Sequence, residues 1–304
     1  MKVPAPGILQ SRSALLRRTR DFFYQRDFLE VDTPHLDDFA GLEPHLDPYE
    51  VRLEGGRTGH LITSPERALK KILGSGVERI FEIAHSYRAG ERGPWHSREF
   101  LMLEWYVLDC TLEQLMTQAE EFVQTMVGRP LECCRVSVYA WMKKHLGHGF
   151  ARADMERTLA GRTDQDVRTM SYDEIFFRLF LPTESQLQKE ELVLLYDYPA
   201  ELSAYAQVCA GVGRRFEMYY KGVELANAFL EITDPEVLEK KLRQEQDERR
   251  RLGRTVYAID REFVEALADI RAPVCGIALG WDRLFGAHLG LEGLAGTSTY
   301  AITD

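Results

Sequence analysis

Residues 88–106 read RAGERGPWHSREFLMLEWY, a Gly/Pro loop carrying Arg88, Arg92, His96 and Arg98 that runs into an apolar stretch with a carboxylate in its middle. Strand side chains alternate, so Phe100, Met102, Glu104 and Tyr106 share one face and Leu101, Leu103, Trp105 and Val107 the other. The second face predicts a core. The first combines a ring, a thioether, a carboxylate and a phenol, which describes a pocket floor. An ionised glutamate there is costly unless a cation meets it. Two readings stay open on this segment alone: a structural ion pair with Arg88 or Arg98, or a group that binds a cationic ligand.

A second stretch, RFEMYYKGVELANAFLEITD (215–234), repeats the pattern with Glu217, Glu224, Asn227 and Glu231 on strands around a turn at Lys221-Gly222. Clustered carboxylates suit a hard cation or a cationic substrate, or else an acidic sheet edge facing solvent. Asn227, Phe229 and Glu231 share a face; Glu224 is out of phase with them, so a bulge or a second ligand direction is required. A third stretch, GIALGWDRLFGAHLG (276–290), sets Gly276 and Gly280 before a helix that Asp282 can cap, with Arg283 in its first turn. A cation at that end of a helix dipole calls for a nearby anion, and a phosphate would serve. It is neither a Walker A nor a Rossmann fingerprint.

The rest of the chain sets the frame. Its 304 residues are 45% hydrophobic and 11% aromatic, enough for a sizeable core. No apolar run is long enough to span a bilayer, and MKVPAPGILQ lacks the pattern of a secretory signal. Five cysteines without a Cys-x-x-Cys pair suit a reducing cytosol and make no zinc framework. A net charge of −10 argues against broad nucleic-acid binding. Helical periodicity covers 8–27 and 111–127, and Pro65 and Gly74 bracket a helix through ERALKKIL. A short strand spans Phe28–Asp32 and a hairpin turns at Glu54-Gly55-Gly56. Further strands fall at Ile80–Tyr87, Phe100–Leu108, Leu192–Tyr198 and Phe216–Thr233, with helices at Pro235–Leu252 and Arg261–Asp269. The stretch to about 190 reads as mostly helical. The basic runs, including Arg249, Arg250 and Arg251, read as solvated helix faces. An α+β fold follows, a largely antiparallel β-sheet flanked by helices.

In this order, the three stretches resemble the signature motifs of class II aminoacyl-tRNA synthetases, and more narrowly the lysyl-tRNA synthetase catalytic core. Motif 1 corresponds to about 8–34, motif 2 to about 81–108 and motif 3 to about 274–290; LITSPERALKKIL (61–73) and 215–234 match between them. With motif 1 starting near residue 8, no anticodon-reading module is expected ahead of it. The chain therefore resembles the elongation factor P–lysine ligase family, as one catalytic domain over 1–304. That resemblance implies ATP-dependent activation of lysine, with (R)-β-lysine preferred, as an aminoacyl adenylate, and transfer to a lysine side chain of elongation factor P. It implies Mg²⁺, a homodimer formed through motif 1, a cytoplasmic location, and no membrane or tRNA-anticodon partner.

Carried onto this sequence, the resemblance assigns Arg88 to the α-phosphate and substrate carboxylate and His96 to the outer phosphates. Phe100 stacks on adenine and Arg283 holds the γ-phosphate. Glu217 and Glu224 become the Mg²⁺ ligands. Glu104 takes the substrate ammonium with Glu66 and Tyr106 beside it. Asn227, Phe229 and Glu231 line the amino-acid pocket, Glu231 toward the ε-ammonium, and Ala278 shapes it. Two positions depart from the family pattern: Gly90 stands where a carboxylate is usual, with Glu91 following, and Trp281 replaces a smaller aliphatic. Two alternatives remain: adenylation of an amino acid for another acceptor (tRNA, a carrier protein or a metabolite), and a catalytically silent regulatory paralogue.

Overall fold

A computed structural model describes residues 4–297. Helix α1 (Pro6–Tyr24) starts at a proline and leads into β1 (Leu29–Glu30). Strands β2 (Leu36–Asp37), β3 (Glu50–Arg52) and β4 (Thr58–Leu61) form a small sheet whose turn holds Gly55 at φ +72°, the hairpin expected there. Helix α2 (Glu66–Leu73) runs from Pro65 to Gly74 as its punctuation predicts. Strands β5 (Arg79–Tyr87) and β6 (Glu99–Leu108) flank the cationic loop. Helix α3 (Leu112–Val127) follows, closed at its start by a Thr111–Gln114 capping box.

The stretch expected to be mostly helical opens instead with a strand, β7 (Cys133–Ser137), before α4 (Val138–Leu146), α5 (Arg152–Ala160) and α6 (Tyr172–Phe180). Then come β8 (Leu192–Pro199), β9 (Val208–Cys209), β10 (Val212–Tyr220) and β11 (Val223–Leu230). Helices α7 (Pro235–Arg251) and α8 (Arg261–Ala266) precede β12 (Val274–Gly280) and α9 (Trp281–His288).

Among the described residues the main sheet has nine strands, in the order β1-β5-β6-β12-β11-β10-β8-β7 with β9 beside β10. Its interior pairs are antiparallel, while the edge pairs β1–β5 and β7–β8 are parallel. On one face Leu101, Leu103, Trp105, Val107, Phe216, Met218, Ile277 and Leu279 pack under α1, α3 and α9 in one core. Trp281 belongs to that core: it is fully buried, stacks on Phe285 and donates to Thr19 Oγ1 at 3.0 Å. The bulkier ring thus faces α1. On the other face α4–α6 build a second core against Val193, Leu195, Tyr198 and Tyr219. Beside that core, α2 packs on the same face against Ile80, Tyr106 and Val274, and a cleft opens next to it over the central strands.

Asp282 does not cap α9. Gly280 is the cap residue, and the buried Asp282 carboxylate accepts from Arg12 Nη1 of α1 at 2.5 Å and from the Leu101 backbone N–H of β6 at 2.8 Å. It ties three elements together. Arg249 is likewise not on a solvated face. Its side chain is 0% exposed and donates to the carbonyls of Thr255, Glu43 and Leu46 and to Asp47.

Candidate active site

Cross-strand register assembles the site. Glu104 on β6 lies opposite Ala278 on β12, Ala278 opposite Asn227 on β11, and Asn227 opposite Glu217 on β10. One step along, Tyr106, Gly276, Phe229 and Arg215 form a parallel row. Directly opposed residues point the same way, so both rows face away from the α1/α3/α9 core. Glu224 joins them through a bulge: Met218 pairs with Ala226 but Tyr219 with Glu224, which leaves Leu225 as the extra residue and turns Glu224 toward the side of Glu217. Gly276 has to lack a side chain, since a Cβ would lie 2.2 Å from the Tyr106 ring and 2.4 Å from Glu231 Oε1.

Above these rows opens a cleft of about 300 Å³ lined by Ser64, Glu66, Arg88, His96, Phe100, Asn227, Phe229, Ala278 and Arg283, with Glu43, Glu91, Tyr205, Glu224 and Glu245 also on its wall. Glu104, Tyr106 and Glu231 lie one layer deeper, each no more than 3% exposed, while Glu217 stands beyond the Asn227 end of the row. The carboxylates expected on the cleft surface are therefore split: Glu66 and Glu224 reach it, and Glu104 and Glu231 back it.

On the cationic side Arg88, His96 and Arg283 line one cleft. Arg88 is held by the Thr63 carbonyl at 3.4 Å and covers the Phe100 ring, 5.1 Å from its centre; burial lowers its pKa. Arg283 donates to the Trp95 and Glu224 carbonyls at 3.0 and 3.1 Å. Burial and then the charge of Arg283 depress the pKa of His96. Gly90, at φ +77°, turns Glu91 into the cleft, 3.9 Å from Arg88 Nη1 and 3.7 Å from His96 Nε2. A carboxylate is thus present one position late.

Glu104 is not ion-paired to Arg88. Its oxygens accept from the Ser64 hydroxyl at 2.5 Å and the Tyr106 hydroxyl at 3.0 Å. Burial, then the neighbouring Glu66, pushes its pKa up to about 8 against those hydrogen bonds and Lys70. Glu231 is pushed up to about 7 by burial, although Lys70 Nζ lies 2.7 Å away. At the other end Glu217 accepts from Tyr198 at 2.6 Å, Tyr219 at 2.7 Å and Arg215 at 2.5 Å. The two tyrosines come from the α4–α6 core, so that helical layer positions Glu217. Glu224 has a side chain 45% exposed at the cleft, where partial desolvation and then Glu217 raise its pKa.

Several groups were not anticipated from sequence. Arg215 bonds Glu217 and, at 2.8 Å, Asn227 Oδ1; its place two residues before Glu217 on one strand face was the available signal. Lys70 bridges Glu66 and Glu231, and its i+4 spacing from Glu66 was legible. Glu43 and Glu245 are brought in by tertiary folding alone; burial raises both, Glu245 to about 8. Among the described residues, Asp32, His35 and Glu82 form a group able to hold a metal; none of them lines the cleft, although Glu82 lies opposite Glu104 across β5 and β6.

The profile of the class II tRNA synthetases (D, K and N) matches residues 5–303. Over 310 residues the chain is 33% identical to the elongation factor P–(R)-β-lysine ligase of Avibacterium paragallinarum, spanning 97% of this chain and 95% of that protein. It is 33% identical over 314 residues to the protein of the same name from Salmonella paratyphi B, spanning 98% and 95%.

Proposed function

The chain belongs to the class II tRNA synthetase family (D, K and N), and on that premise we propose that it is an ATP-dependent lysine ligase acting on elongation factor P. The amino acid is activated as an adenylate and passed to a lysine side chain of that factor. (R)-β-Lysine is the substrate we favour, after the relatives' name. The observation that carries the reading is the pair of cross-strand rows, which set an acidic floor beneath a cleft whose opposite wall is Arg88, His96 and Arg283.

Arg88 and Arg283 would neutralise the charge that spreads over the phosphoryl oxygens as the substrate carboxylate attacks the α-phosphorus and pyrophosphate leaves. The cleft aligns the reactants, so no protein nucleophile is required. Phe100 offers a ring for adenine and Glu91 a carboxylate beside it. Glu66 on the cleft wall and Glu104, one layer deeper behind Ser64, would take the substrate's ammonium groups, whereas Glu231, expected to face the ε-ammonium, is paired with Lys70; Asn227, Phe229 and Ala278 shape the space between. Glu217 and Glu224 suit Mg²⁺, which commonly binds one or two carboxylates and the substrate phosphates. Bound there, the ion would supply charge neutralisation. In the second step the acceptor amine attacks the acyl carbonyl, AMP departs, and an amide bond forms as the amine loses a proton.

A silent paralogue would not need to keep Arg88, Glu104, Glu217, Glu224 and Arg283 oriented toward one cleft. We also read the chain as one catalytic domain and as a homodimer through its first helix and strand. Exposed Tyr24 (51%) and Leu29 (52%) on that segment support the dimer. A cytoplasmic site is consistent with the lack, among the described residues, of any helix long and apolar enough to cross a membrane. Intact-mass analysis of elongation factor P after incubation with the enzyme, ATP and (R)-β-lysine tests the function. One added lysyl mass is expected; an unmodified factor beside active pyrophosphate exchange would redirect the search to another acceptor.

A further inference from the structure

Behind the cleft wall made by Glu66, Tyr205 and Phe229 lies an ammonium that the reaction does not call for. Lys70 is 3% exposed, with Nζ 2.5 Å from Glu66 Oε1 and 2.7 Å from Glu231 Oε2, and 5.9 and 5.6 Å from the centres of the Tyr106 and Tyr205 rings. Resting on the reading of the cleft as a diamine site, we propose that Lys70 sets the length of the amino acid accepted, by filling the deep half of the Glu66–Glu231 cage with its own ammonium.

Charge and position both support this. With both carboxylates ionised, the one resident ammonium leaves one net negative charge, which complements one incoming ammonium. Burial works against the Lys70 charge, but Glu231 and Glu66 outweigh it and hold its pKa above the usual lysine value. The ammonium is thus a fixed part of the pocket. Of the two carboxylates only Glu66 lines the cleft; Glu231 is 2% exposed behind it, in space kept open by Gly276. A substrate ammonium can meet Glu66 from the cleft side and then faces a like charge. A chain one methylene longer would be driven into that repulsion.

The test is pyrophosphate exchange with lysine and with the diamino acid one methylene longer, for wild type and Lys70→Ala. A third enzyme, Lys70→Met, keeps the stem without the charge. In Lys70→Ala the kcat/KM ratio of longer to normal substrate should rise about tenfold or more, the scale of one methylene in a fitted pocket. Lys70→Met, which removes the like charge but keeps the stem, should raise the ratio in the same direction, by less than Lys70→Ala. The ratio is blind to loss of active protein, so partial unfolding cannot imitate it. Should Lys70→Ala fail to fold for want of a partner to Glu231, Lys70→Ala with Glu231→Gln carries the same expectation.

A ratio within about twofold of wild type in the folded variants would overturn the proposal. A Lys70→Met ratio unchanged from wild type while that of Lys70→Ala rises would also overturn it, by showing that the bulk of the stem and not its ammonium sets the length. Wild-type exchange with neither diamine would instead overturn the underlying reading, and this proposal with it.

Discussion

Glu104 occupies a place where a carboxyl group prefers to be neutral until a cation arrives. Its folded pKa of about 8, like the value of about 7 for Glu231, lies above an unfolded value near 4.3. The folded protein therefore binds more protons than the unfolded chain between those values, and stability without ligand falls as pH rises through that window. A diamine needs the ionised forms. Its affinity should therefore weaken as pH drops from about 9 to about 6, by up to roughly tenfold per unit for each proton displaced. Calorimetric titration of lysine across that range checks this, and a flat profile would contradict it. Glu104→Gln should cost about 10²-fold or more in kcat/KM for lysine, as expected when a buried charge pair loses one member. Its melting temperature should hardly change, because an amide resembles the neutral acid and the Ser64 and Tyr106 hydroxyls can turn to suit it. Alternation along one strand was enough to single out Glu104. Glu43 and Glu245 escaped notice because no local period links them to the site.

At the scale of elements, the strand and helix boundaries around the site follow from alternation and from Pro and Gly punctuation, and α2 begins and ends as its sequence predicts. The need for a bulge at Glu224 was also legible, as a phase conflict with Asn227, Phe229 and Glu231. Strand β7 was not. It is an edge strand paired on one side only, to β8, and its half-buried residues lack clear alternation. Arg249 was misread for a related reason: a basic run on a helix looks solvated unless one knows that the loop at Glu43–Asp47 lies over it. Asp47 accepts from Arg249 Nη2 at 2.6 Å, and its carbonyl accepts from the backbone N–H of Ala89, next to Arg88, at 2.8 Å. Arg249→Ala should thus cost about 2–3 kcal/mol in denaturant unfolding and loosen the Arg88 loop. Arg250→Ala and Arg251→Ala, on exposed side chains, should each stay within about 0.5 kcal/mol.

At the scale of the whole molecule, one sheet serves two purposes. Its α1/α3/α9 face supplies the larger core, and its other face carries the chemistry, with the α4–α6 layer beside it holding Glu217 in place. Exposed apolar residues on the first helix and the strand after it predict a two-fold dimer. Sedimentation at micromolar concentration should give twice the 35.0 kDa chain mass, and a monomer would contradict the dimer without touching the site. The central claim is that an acidic floor under a cationic wall activates a diamino acid. Amino-acid-dependent exchange between ATP and pyrophosphate tests it most directly, with (R)-β-lysine, (S)-β-lysine, L-lysine, L-ornithine, L-asparagine and L-aspartate in parallel. Exchange confined to the diamines is the predicted result, because a buried carboxylate left unpaired by a neutral or acidic side chain rejects it strongly. Exchange with asparagine or aspartate, or with none of the six in folded protein that binds Mg²⁺-ATP, would contradict the account.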